Sequence, residues 1–177
     1  MAKSRNFSEG LEMKKTTLLA AAVSAAMALP AAAQEVALGL GYSDYHRETA
    51  DDGAVFTLDY LHAPFHERGR LSARFGAALE VQDAGDIFAG VGISGVIDLN
   101  NDWFIETSVM PGAYHESSRE NDLGSTFEIR SLLAVGKRFQ NGKAVSLAIS
   151  HKSNASTADE NPGVNSLTLR WHIPLGG

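Results

Sequence analysis

The chain has 177 residues, 44% of them hydrophobic, no cysteine, and a formal net charge of −6. Its length and apolar content suit one ordered domain, and without cysteine that domain has no disulfide framework to hold it. The acidic balance excludes the electrostatic footprint of a nucleic-acid-binding protein.

The first segment reads as a targeting signal. "MKKTTLLAAAVSAAMALPAAAQ" sets Lys14 and Lys15 ahead of an apolar stretch and closes on three alanines before Gln34. That is a basic n-region, a short h-region and a small-residue cleavage site, the pattern of a secretory signal peptide. The apolar run is short for a transmembrane anchor, and Pro30 interrupts it just before the small residues. Met13 is a better start than Met1, which makes residues 1–12 an upstream extension. The expected organisation is therefore residues 1–33 as extension and signal, cleaved before Gln34, followed by one domain over 34–177. The leader holds four of the fifteen basic residues and two of the twenty-one acidic ones, so the rest is more acidic still, at net −8.

Beyond residue 34 no window forms an amphipathic helix. Period-two alternation recurs instead, in runs at 35–44, 54–62, 69–82, 86–98, 102–114, 125–139, 143–153 and 164–174. Short connections ("APFHERG", "LNND", "FQNGK") alternate with longer, charged ones ("SDYHRETADDG", "HESSRENDLGS", "NASTADENPG"). "DAGD", between the third and fourth runs, is short where the alternation asks for a long loop. The pattern predicts an all-β fold, an eight-stranded antiparallel up-and-down barrel.

The two faces of each run decide which solvent surrounds it. In the third run Leu71, Ala73, Phe75, Ala77, Leu79 and Val81 share one face, against Ser72, Arg74, Gly76, Ala78 and Glu80. In the last, Leu167, Leu169, Trp171 and Ile173 oppose Ser166, Thr168, Arg170 and His172. Asp59 and Glu106 fall on the polar side of their own runs. A soluble lipocalin-like barrel would turn the apolar face inward. Two features favour the inverted arrangement. The polar faces mix glycine and alanine with charges of both signs, which suits a narrow, internally paired lumen. Tyr42, Phe56, Tyr60, Trp103 and Trp171 lie on apolar faces near run ends, where an interfacial girdle sits. Pro111 inside the fifth run, and a C-terminus of "IPLGG" without a final aromatic, depart from that pattern. The expectation is a transmembrane barrel of the Gram-negative outer membrane.

"AISHKSNAS", residues 148–156, holds the candidate chemistry. Val145, Leu147, Ile149, His151 and Ser153 share a strand face, so the histidine and serine point outward with the apolar residues. They stand about 7 Å apart along the backbone, close enough for His151 to take the Ser153 proton as general base. His-x-Ser alone is a weak pattern, and polar residues are expected at any barrel rim, where a protonatable group can simply snorkel to water.

His151, Ser153 and Asn154 in "SHKSNAS", with "NPGVNSLTLRWHIPL" at 161–175, resemble the PagL-type lipid A 3-O-deacylases. The resemblance implies an outer-membrane serine esterase that removes the 3-O-linked 3-hydroxyacyl chain from lipid A of lipopolysaccharide. It implies no metal and no cofactor, and an active site facing the outer leaflet. It assigns Ser153 as nucleophile, His151 as base, and Asn154 as an oxyanion contributor. The chain departs from the family at the third catalytic position, a glutamate a dozen residues after the serine. Here that position is Asn165, which can accept a hydrogen bond from the histidine but brings no charge. Asp159 and Glu160, in the preceding loop, are the alternatives for a charged third member.

The rival reading is a non-enzymatic small barrel with a structural or surface-interaction role, its acidic loops ("ETADD", "ESSREND", "TADEN") bridging divalent cations to lipopolysaccharide. The sequence leaves open the acyl preference, whether the activity is latent in an intact membrane, and the oligomeric state, a homodimer being one option.

Overall fold

A computed structural model describes residues 34–46 and 49–176. The expected signal peptide, the start at Met13 and the extension before it lie outside those residues. Eight strands follow in chain order: β1 (Glu35–Tyr45), β2 (Gly53–Arg68), β3 (Leu71–Gln82), β4 (Ile87–Asp98), β5 (Trp103–His115), β6 (Phe127–Arg138), β7 (Ala144–Ser153) and β8 (Val164–Pro174). Each pairs antiparallel with the next, and β8 returns to β1, closing the barrel.

The alternating runs anticipate the strands to within a residue or two, except at β2. "APFHERG" is strand almost to its end, and only Gly69 and Arg70 make the turn. Pro64 misleads the reading there. It sits where the β2–β3 register shifts, between Leu61 and His66, and a residue without an N–H is tolerated at such an irregularity. Phe65 then stacks on Phe75 across the hairpin, ring centroids 4.5 Å apart. The short "DAGD" link also has a physical reason. Asp86 accepts hydrogen bonds from the Tyr45 hydroxyl at 2.8 Å, the Asn121 amide at 2.7 Å and the Ser117 N–H at 2.6 Å. The turn thus folds over the barrel mouth and ties β1 to the β5–β6 loop.

The apolar face points out. Leu40 and Val91 are each 67% exposed and Leu169 60%, while Arg130 and Arg170 are 0% exposed. Exposed leucine, isoleucine, valine and phenylalanine ring the wall on every strand, far beyond the patches a water-soluble monomer carries. A closed barrel with no free edge and an apolar exterior satisfies the backbone in lipid, so the fold is a transmembrane barrel. Tyr42, Phe56, Trp103 and Trp171 are exposed on that surface, where interfacial aromatics are expected.

The lumen is filled with paired charges. Arg130 reaches Asp59 at 2.5 Å and Glu80 at 2.7 Å. Arg170 reaches Glu106 at 3.1 Å and Asp59 at 3.2 Å, and Lys152 is ion-paired with Glu80. Three cations thus meet three carboxylates, every pair joining strands that are not neighbours in the sheet. Nearer the termini His172 bonds Glu35 at 2.5 Å and the Ser146 hydroxyl at 2.7 Å.

Neighbouring residues 169 and 170 test this inside-out arrangement. Leu169→Arg should cost about 2–4 kcal/mol of barrel stability, as a charge facing the bilayer. Arg170→Ala should cost about 3–5 kcal/mol, since it leaves the buried Glu106 without its cation while Asp59 keeps only Arg130. Urea titration of folding into lipid vesicles measures both, and an unchanged Leu169→Arg midpoint would contradict a lipid-facing wall.

Candidate active site

The candidate residues come together at the loop end of the barrel, where β6, β7, β8 and β1 lie side by side. Asn165 of β8 stands directly opposite His151 of β7, which in turn faces Ser131 of β6; on the other side Asn165 faces Asp44 of β1. Four polar residues therefore form one lateral row on the outer wall. Below it the surface turns apolar, with Ile149 opposite both Leu133 and Leu167. An open groove of about 650 Å³ runs from this polar row over those aliphatic side chains and Tyr42.

His151 Nδ1 lies 2.9 Å from Asn165 Oδ1. An amide oxygen only accepts, so the imidazole is the donor there and its Nε2 carries the free lone pair. Asn165, across the β7–β8 pair, is thus the side chain that orients the His151 ring. Asp159, the alternative, is exposed in the β7–β8 loop, and the backbone oxygen of Glu160 is engaged by Asn154 at 2.7 Å. Gly163 closes the other side of the histidine. It sits at φ +69°, in the left-handed region, and a Cβ on it would stand 2.9 Å from His151 Cε1.

Ser153 shares the outward face with His151, two residues on, and is half-buried. Its hydroxyl has no hydrogen-bond partner among the described residues, so no direct Ser153–His151 bond is formed. Catalytic hydrogen bonds are often long without substrate and tighten when it binds. Between the two, Lys152 points the opposite way, into the lumen and onto Glu80.

Asn154 does not fit the role expected of its side chain. It is fully buried, and its Nδ2 donates to the Leu123 oxygen at 3.1 Å as well as to Glu160. Its Oδ1 accepts the Ser156 N–H at 2.9 Å, and its own N–H donates to Asn161 Oδ1 at 3.0 Å. Every donor is committed to shaping the loop, so Asn154 has no free hydrogen for an oxyanion. The loop it shapes holds Ala155 at φ +53° and Ser156 at φ +61°, left-handed values that cost energy for residues with a Cβ. The Ala155 N–H, two residues past the serine, has no partner among the described residues.

His46, just past β1, joins the site unannounced by any sequence pattern. Its Nε2 lies 2.7 Å from Asn165 Nδ2, and its ring centroid is 5.9 Å from that of His151. A strand-end histidine next to a charged loop carries no motif; only the β1–β8 pairing reveals it.

With this geometry in view, residues 62–174 match the model of the lipid A 3-O-deacylase (PagL) family. The lipid A deacylase PagL of Pseudomonas aeruginosa is 30% identical over 73 residues, 41% of this chain and 42% of that protein, so the match spans less than half its relative's length. The crystal structure of the outer membrane enzyme PagL superposes with a TM-score of 0.66 at 23% identity, covering 79% of this chain and 99% of the other. Neisserial surface protein A superposes at 0.55 with 8% identity, covering 80% and 96%. At such identities the structural likeness shows the fold alone: a small outer-membrane barrel.

The His151–Asn165 bond predicts a spectroscopic signature. Wild type should show a low-field imidazole N–H proton by NMR. Gly163→Ala, which crowds the ring, and Asn165→Val, which removes the acceptor, should each abolish it. A signal surviving in both would place the histidine proton elsewhere.

Proposed function

The chain belongs to the lipid A 3-O-deacylase (PagL) family, and on that premise we propose that it hydrolyses the 3-O-linked 3-hydroxyacyl ester of lipid A, with Ser153 as nucleophile and His151 as general base. The observation that carries this reading is the outward direction of both residues, immediately above an apolar groove on the lipid-facing wall. The lumen is packed with ion pairs, so an acyl substrate meets this pair from the membrane. The acyl chain lies along Leu133, Ile149 and Leu167 while the sugar stays at the polar row, which brings the ester to the rim where Ser153 sits.

In the first step Ser153 Oγ attacks the ester carbonyl carbon and passes its proton to His151 Nε2. The carbonyl π electrons move onto oxygen, and the tetrahedral intermediate needs a donor at that oxygen. The Ala155 N–H supplies it, while Asn154 acts as a positioning residue that holds the turn. Collapse expels the sugar 3-oxygen, which takes the proton from His151 and leaves an acyl-serine. Water, deprotonated by His151, then attacks the acyl-serine, and the proton returns to Ser153 as the 3-hydroxy fatty acid departs. Asn165 holds His151 in the tautomer that this sequence of proton transfers requires. The non-enzymatic reading is not favoured, because family membership and this constellation have no place in it.

Mass spectrometry of lipid A from cells expressing the chain should show loss of one 3-hydroxyacyl group. Ser153→Ala and His151→Ala should each lower turnover by about 10⁴-fold or more while the barrel still folds. Full activity in either variant would defeat the assignment.

A further inference from the structure

A chain of hydrogen bonds runs past His151 and ends on a group that fixes the direction of every link. His46 Nδ1 lies 2.8 Å from the backbone oxygen of Pro162, which can only accept. His46 therefore carries its hydrogen on Nδ1, and its Nε2 is left as an acceptor. That acceptor faces Asn165 Nδ2 at 2.7 Å, so the amide nitrogen donates to it. The amide oxygen is then turned toward His151 Nδ1, 2.9 Å away, and must accept from it. His151 emerges with its hydrogen on Nδ1 and a bare lone pair on Nε2, as a general base requires. The backbone reinforces the arrangement, because the His46 N–H bonds the Gly163 oxygen at 3.3 Å and draws the end of β1 against the start of β8.

The need for such a device follows from the chemistry of an amide. A carboxylate presents two equivalent oxygens, so either orientation accepts from the histidine. An amide turned by 180° presents N–H₂ to His151 Nδ1, which could then only accept; the hydrogen would move to Nε2 and the base would be lost. Asn165 alone does not choose between these orientations. His46 does.

We infer that His46 is a positioning residue of the catalytic site, locking the Asn165 amide so that His151 stays in its active tautomer. This rests on the proposed esterase reading. His46 lies outside residues 62–174, the span that matches the family, so nothing in that match assigns it a role.

The test is a double-mutant comparison on the full barrel, folded in detergent, following release of 3-hydroxy fatty acid from purified lipopolysaccharide. His46→Ala should lower kcat by about 10–100-fold, the size of loss seen when a metal-bound histidine loses its outer hydrogen-bond partner, with KM changed less than about twofold. Asn165→Asp has the same shape and two equivalent oxygens, so it should not need the lock. Adding His46→Ala to it should cost less than about threefold, a non-additivity that a merely structural role would not produce. Heat-modifiable gel mobility checks folding. If His46→Ala does not fold, His46→Lys takes its place, because an ammonium fills the space but can only donate. Equal losses in both backgrounds, or full activity of the single variant, would overturn the inference. An active Ser153→Ala control would instead overturn the esterase reading beneath it, so the two failures are distinguishable.

Discussion

The structure depends on the charge lattice inside the barrel. Arg130, Arg170 and Lys152 share Asp59, Glu80 and Glu106 in a space sealed from water by the wall itself. A lone charge there would be prohibitive, and even a matched pair has to recover the desolvation of both partners. Here Asp59 serves two arginines and Arg130 serves two acids, so the lattice is connected rather than a set of separate pairs. It joins β2, β3 and β5 to β6, β7 and β8 across the lumen, contacts that neighbouring-strand hydrogen bonds do not supply. Since the outside is solvated by lipid, little hydrophobic force compacts such a barrel. Cross-lumen electrostatics take on that work.

That lattice also decides where chemistry can occur. With the interior filled, a site must lie on the wall or in the loops, and the period-two geometry of β7 puts it on the wall. Lys152 is held by Glu80 on one face, which fixes the strand's rotation and turns its neighbours His151 and Ser153 toward the membrane. The residue that anchors the strand and the residues proposed to react are thus consecutive. A one-residue slip of β7 would send Lys152 into lipid and the proposed catalytic pair into the lumen, so the same contact that stabilises the barrel guards the site.

Much of this was legible in the sequence because a strand's two faces are written two residues apart. The outward leucines and inward arginines and the barrel order follow from counting, and the family resemblance points to Asn165 beside His151. What escaped has a common physical character. The end of β2 is hidden because Pro64 signals a turn locally, whereas the ladder absorbs it at a register shift. Asn154 suggests an oxyanion donor from its place beside the serine, but burial and five hydrogen-bonded neighbours make it a loop anchor. His46 lies 105 positions from His151 by the numbering and meets it only because β8 pairs with β1 to close the barrel. Closure is a property of the whole fold, so no local pattern reports what it brings together.

The asparagine at position 165 is easier to understand in that setting. The position faces outward at the top of the lipid-facing wall, beside Leu167, where an unpaired carboxylate would lose hydration. A neutral amide avoids that cost, yet gives up the charge that would stabilise an imidazolium and the equivalence of two oxygens. The second loss is made good by His46, whose orientation is itself set by the Pro162 carbonyl. Orientation, which a carboxylate delivers unaided, is divided here between two side chains. Such a division tolerates a less polar neighbourhood than a buried acid does, and it makes the site depend on the seam where the barrel closes.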